Sequence, residues 1–200
     1  MSKNKKSGPA IFMYLVIAVT IITWIICFSL YYGDIYKHGI ILWTGIVAFM
    51  IMYHFWLRII MGNVTKLFQK RINYKLWWFK ERRFETKLYE FLRVKKWKGK
   101  ALTYNPELFS LKNYSLEEIA NTMTKAEVDH WVNEIISLTS LIFILLWGAW
   151  KVFIIQAIVA MIFDSQFIII QRYNRPRIVK ILEKEKNGKD VVATNVSIDC

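Results

Sequence analysis

Two cysteines in 200 residues are too few for a disulfide framework. Cys27 lies in an apolar run and Cys200 at the end, so there is no CxxC pair for zinc or thiol chemistry. The chain also carries no glycine-rich phosphate loop and no serine-nucleophile motif. These absences remove the commonest sequence signatures of NTPases, serine hydrolases and zinc enzymes, and neither a metal nor a bound cofactor is expected. Acidic residues are scarce as well: 15 Asp and Glu face 28 Lys and Arg, a net charge of +13. Beside a hydrophobic content of 55%, that excess calls for an anionic partner surface. Membrane lipid or phosphorylated substrates fit better than nucleic acid, for which no binding motif is present.

What is abundant is apolar sequence in long runs. Ala10 to Tyr32 has no charged side chain and exceeds the ~20 helical residues needed to cross a hydrocarbon core. Lys3, Lys5 and Lys6 precede it in the manner of a signal peptide. The run is too long for that role and lacks a small-residue cleavage site, so a retained span is expected. A second run covers Gly39 to Met61, after the polar turn Gly33 to His38. The third and fourth, Ile135 to Trp150 and Val152 to Ile170, meet near Gly148 and Lys151. They predict a tight hairpin that crosses twice, with a re-entrant pair as the alternative. Trp147 and Trp150 flank that turn as interfacial anchors would.

The expected fold is therefore all-α, a polytopic membrane protein with about four transmembrane helices. Its expected parts are an N-terminal hairpin (1–61), basic and aromatic interfacial helices (62–134), a second hairpin (135–171) and a basic tail (172–200). Lys and Arg concentrate before the first span, from Lys66 to Lys100 and from Arg172 to Lys189, whereas the short turns hold only Lys37 and Lys151. This bias predicts a multi-pass protein of the cell membrane with both termini cytoplasmic. The Asn-x-Ser/Thr matches at Asn63, Asn113 and Asn195 then fall on the cytoplasmic side and read as chance.

In the middle segment, aromatics interleave with cations, as in Tyr74 to Lys80 and Phe91 to Lys98. That pattern suits a chain lying in the headgroup layer. Asn105-Pro106 marks a turn. Ser115 to Glu118 and Thr124 to Glu127 each match a capping box, so two helix starts are expected. Glu127, His130 and Glu134 then share a helical face near the membrane surface.

A histidine flanked by carboxylates one turn away has the composition of a general base: the acid fixes one ring nitrogen, and the other takes a proton from a hydroxyl. Glu127 or Asp129 would supply that acid, although both also suit a helix N-terminus. After the fourth span, Gln171-Arg172-Tyr173-Asn174-Arg175-Pro176-Arg177 brings three arginines to the interface, where they would fork phosphate or carboxylate groups or merely stop the helix from translocating. His54 and Arg58 share a face of the second span, and His38 sits in a solvated turn.

Three segments in order, Arg93 to Lys98, Thr124 to Trp131 and Ile168 to Arg177, closely resemble the glycosyl-4,4'-diaponeurosporenoate acyltransferases, and the likeness runs from near Trp78 to near Leu182. That family adds a fatty acyl chain to the sugar of a glycosylated carotenoid in staphyloxanthin synthesis. The resemblance implies a membrane-bound O-acyltransferase whose acceptor is a glycolipid. Its donor would be an acyl thioester, acyl-CoA or acyl carrier protein. Glu127, His130 and Trp131 match the family's Glu-x-x-His-Trp, which favours Glu127 as the partner of His130. Arg93, Lys96, Trp97, Lys98, Gln171, Arg172, Tyr173, Asn174, Arg175, Pro176 and Arg177 match its basic motifs; these residues other than Pro176, together with Trp131, are the expected substrate- or phosphate-binding set. An additional N-terminal apolar run and a longer stretch before Gln171 depart from the pattern and leave the acceptor open. The competing function is a non-catalytic membrane subunit that binds anionic lipid or recruits a soluble partner through its basic collar.

Overall fold

The computed structural model describes residues 8–100 and 106–198, with side chains described for 11–100 and 108–187. Lys3, Lys5, Lys6, Asn105, Asn195 and Cys200 lie outside the residues described with their side chains. The described chain is helical, without a strand: α1 (Gly8–Tyr32), α2 (Gly39–Leu67), α3 (Arg83–Phe91), α4 (Val94–Trp97), α5 (Leu116–Thr139), α6 (Ile144–Trp147) and α7 (Trp150–Ile198). Short 3-10 turns lie between several of them.

Among the described residues, four stretches are long and apolar enough to cross a membrane: Ile11–Tyr32, Gly39–Leu67, Leu116–Trp147 and Trp150–Asn187. In the first, only 11% of the apolar window is buried within the protein. Ile11, Phe12, Leu15, Val19 and Ile22 point outward, as side chains do where the surrounding solvent is lipid. The third run is short in the sequence, but α5 extends it on its N-terminal side.

The residues form two compact units, one containing the chain up to Val64 with Asn133–Ala160, the other Thr65–Val132 with the chain from Met161. In the first, Ile46, Met50 and Phe153 form the core, ringed by Phe28, Phe49, Phe143 and Trp147. Phe49 meets Phe143 edge-on at 5.0 Å and Trp147 at 5.4 Å. Trp147 is thus a packing residue, while Trp150 stays exposed. At Gly45 the helices come so close that a Cβ would lie 2.6 Å from the Phe28 ring, the close approach that small residues permit in apolar helix pairs. Gly148 ends α6 at φ 70°, a left-handed cap that glycine adopts without steric cost. His38 supplies the cap of α2, its Nδ1 accepting a bond from the Ile40 amide at 3.3 Å.

In the second unit Tyr74, Leu116, Ala120 and Leu182 are buried together. Ser115 caps α5 as expected: its amide and hydroxyl both donate to the Glu118 carboxylate at 2.8 Å, and the Glu118 amide returns a bond to the Ser115 hydroxyl. The second expected start, at Thr124, does not occur. Thr124 lies inside a continuous α5 and its hydroxyl donates back to the Ala120 carbonyl at 2.8 Å. Threonine makes that i−4 bond in a helix interior, so the TxxE spacing carried no cap. Pro176 falls inside α7. The helix runs through the whole Gln171 to Arg177 motif.

Candidate functional site

The second unit carries the segments Arg93 to Lys98, Thr124 to Trp131 and Ile168 to Arg177 on α4, α5 and α7, and places around them carboxylates that these segments do not contain. His130 lies on α5 with its side chain 23% exposed, and its Nδ1 is 2.8 Å from Oδ1 of Asp164, a fully buried residue of α7. With an ionised carboxylate as acceptor, Nδ1 carries the hydrogen and Nε2 presents a lone pair. The imidazole also stacks on Phe167 at 4.7 Å with the rings 7° from parallel. Hydrogen bond and stack together fix both the tautomer and the plane of the ring.

Neither carboxylate offered by local spacing fills this role. Asp129 is held by Lys125 at 2.5 Å and by the Thr65 hydroxyl. Glu127, the expected partner, is fully buried and engaged elsewhere: Arg172 Nη1 donates to its Oε1 at 2.7 Å and Arg175 Nη1 to its Oε2 at 2.5 Å. An i, i+3 pair shares a helical face, yet two guanidinium groups nearby outcompete the partly exposed imidazole for the carboxylate. The Trp131 indole adds a longer bond to Glu127 Oε1 at 3.4 Å.

The same network accounts for two of the three motif arginines. Arg172 grips Glu85 Oε1 through Nε at 3.0 Å and Nη2 at 2.5 Å, and reaches the Trp78 carbonyl at 3.3 Å. Arg175 is 2% exposed and donates to the Phe79 carbonyl at 2.8 Å, its guanidinium 5.2 Å from the Phe79 ring. Two carboxylates thus neutralise two guanidiniums out of water, the arrangement that makes buried charge tolerable. Tyr89 closes the set by donating to Glu85 Oε2 at 2.9 Å. Burial, with the Glu85 hydrogen bond and charge, holds the Tyr89 hydroxyl well above the usual tyrosine range. Through these bonds Arg172 and Arg175 lock α7 to α5 and to the 78–85 segment.

The other expected residues form a second group. Lys98 donates to Asn174 Oδ1 at 2.7 Å and lies 4.7 Å from the Tyr173 ring centroid, while Arg177 stacks on the same ring at 3.5 Å. Arg93 and Lys96 border a groove with Tyr173 and Arg177. The Trp97 indole donates to the Leu92 carbonyl at 2.9 Å. Trp131 is 41% exposed and meets Trp78 edge-on at 6.5 Å. Gln171 is half-buried on α7. His54 is buried in the first unit.

Asp164 and Glu85 were missed by sequence reasoning. Asp164 did carry a signal: it is the one acidic residue of the fourth apolar run, and an ionisable side chain inside such a run marks a site by default. Glu85 carried none, being one charge among many in a polar segment.

The sequence model of the family described as Glycosyl-4,4'-diaponeurosporenoate acyltransferase matches residues 75–184, over half of the chain, including Glu85, Glu127, His130, Asp164, Arg172 and Arg175. No curated protein and no solved structure matches the chain significantly.

Proposed function

Because the chain belongs to the glycosyl-4,4'-diaponeurosporenoate acyltransferase family and is an acyltransferase, we propose that it esterifies a sugar hydroxyl of a membrane glycolipid, with His130 as general base. The acceptor class is a glycosylated carotenoid or a lipid of the same form, and the donor is an acyl thioester on coenzyme A or acyl carrier protein. The observation that carries this reading is the 2.8 Å contact between His130 and the buried Asp164.

In the proposed reaction, Nε2 removes the proton of the sugar hydroxyl as its oxygen attacks the thioester carbonyl carbon. The C–O bond forms, and the tetrahedral intermediate collapses with cleavage of the C–S bond. The departing thiolate takes the proton back from the imidazolium, so the enzyme ends unchanged. Asp164 acts as a positioning residue: it keeps the Nδ1 hydrogen in place and stabilises the imidazolium while it exists. Histidine suits the task because it exchanges protons near neutral pH. The four apolar stretches among the described residues support a membrane setting for this chemistry, in which acceptor and acyl product are both lipid-borne. The Lys/Arg bias supports an orientation with both termini on the cytoplasmic side, where thioester donors are made.

The test is expression of wild type and His130→Ala in a host supplied with labelled fatty acid and a glycolipid pool, followed by mass spectrometry of extracted lipids. A labelled acyl-glycolipid formed only by wild type supports the assignment and identifies the acceptor. Equal product from both sinks it.

A further inference from the structure

The side of α7 opposite Asp164 borders a separate concavity. Nine residues, two and a half helical turns, separate Asp164 from Tyr173, so the two project from opposite faces of the helix. On the Tyr173 side, residues of α3 and α4 help close a groove of about 440 Å³. Its lining includes Arg93, Lys95, Lys96, Arg177 and Lys180, against Glu81 and Glu90: five cations less two carboxylates, or +3. Lys180 lies 3.6 Å from Glu81. That pair is mutually compensated, and the remaining cations leave the groove in need of an anion.

The groove is also shaped for one. The Arg177 guanidinium carbon lies over the Tyr173 ring, 3.5 Å from its centroid, and Nη1 donates to the Tyr173 carbonyl at 3.1 Å. A guanidinium stacked this way keeps its remaining in-plane N–H donors directed along its edges, where they match two phosphate oxygens. Tyr173 is itself held edge-on by the buried Tyr89 at 5.4 Å, so the platform is anchored to the Glu85 network. Arg93 enters α4 in the left-handed conformation, φ 50° and ψ 40°, which is strained for a residue with a Cβ. The chain holds that strained geometry at the groove wall.

We propose that this groove is a phosphate-binding site, with Lys95, Lys96 and the stacked Arg177 as its principal contacts. Two sources share that chemistry: the nucleotide phosphates of a coenzyme A donor, and the headgroup of an anionic phospholipid. The site lies across α7 from His130, so a phosphate held there anchors a ligand without touching the reacting atoms. It does not depend on the assignment of His130 as base.

The experiment is calorimetric titration of the full-length protein in maltoside micelles, which contain no phosphate, with coenzyme A and, separately, with short-chain phosphatidylglycerol. The variants are Lys95→Gln with Lys96→Gln, Arg177→Gln, His130→Ala, and Lys70→Gln as an exposed cation outside the groove. Loss of a charge-assisted bond weakens binding by about tenfold or more. That loss in the groove variants alone, for coenzyme A, supports the site with the donor as source; the same pattern for phosphatidylglycerol supports it with lipid as source. His130→Ala retains binding in either case, which separates this site from the catalytic reading. Absence of binding by wild type to both probes, or binding undiminished in the groove variants, overturns the proposal. Should Arg177→Gln lower stability through loss of its stack, the exposed lysine pair decides alone.

Discussion

Nδ1 of His130 and Oδ1 of Asp164 meet at 2.8 Å across thirty-four residues of sequence, from two different helices. The contact makes Asp164 the residue that holds the Nδ1 side of His130, with the Phe167 stack setting the plane of the ring. His130→Ala is expected to lower kcat by about 10²–10⁴, the contribution of a positioned general base, with membrane insertion unchanged. Asp164→Asn is expected to lower kcat while leaving KM for both substrates near wild type, because it alters the tautomer and not the binding surface. Steady-state kinetics on detergent-purified protein distinguishes the two; a change in KM alone would mark Asp164 as a packing residue.

Glu127 carries a different expectation. Its removal leaves Arg175 and half of Arg172 uncompensated out of water, so Glu127→Ala should destabilise the protein by about 3–5 kcal/mol. Thermal unfolding in detergent measures this. Glu127→Ala combined with Arg175→Met should be less damaging than the sum of the two single substitutions, since the double variant no longer strands a buried charge.

Tyr89 makes a prediction at alkaline pH. Its hydroxyl titrates above the usual tyrosine range when folded, so above about pH 10 the unfolded chain loses a proton that the folded chain keeps. The unfolded state then binds fewer protons and stability falls as pH rises. Below that pH the contribution is fully present. Tyr89→Phe should be less stable at neutral pH, through loss of the Glu85 bond, and should show a shallower alkaline decline. Tyr74, raised mainly by burial, retains part of that slope.

Two glycines make steric predictions. Gly45→Ala would put a methyl carbon 2.6 Å from the Phe28 ring and should cost about 1–3 kcal/mol by overpacking. Gly148→Ala meets no neighbour, but its φ of 70° should cost about 1–2 kcal/mol. Unfolding of the purified variants tests both, and an enlarged Gly45→Leu effect with an unchanged Gly148→Asn would separate crowding from backbone strain, because asparagine tolerates the left-handed region.

Composition and the length of apolar runs determine locally what this protein is built from: four helices able to span a bilayer, with Gly148 between the last two and a capping box at Ser115. A helix in lipid must satisfy its own backbone, so its existence follows from its own residues. The family, too, was legible, because its motifs are contiguous strings. What the sequence could not decide is which charge meets which. Glu127 stands one turn from His130 and looks like its partner, but the folded protein gives Glu127 to Arg172 and Arg175 and supplies Asp164 from a distant helix. It also divides the basic motif: Arg175 becomes interior, while Arg177, two residues on, faces a groove. Spacing along one helix fixes only a shared face; the energy of a buried charge is set by the groups that other segments bring to it, and only the tertiary structure assembles those.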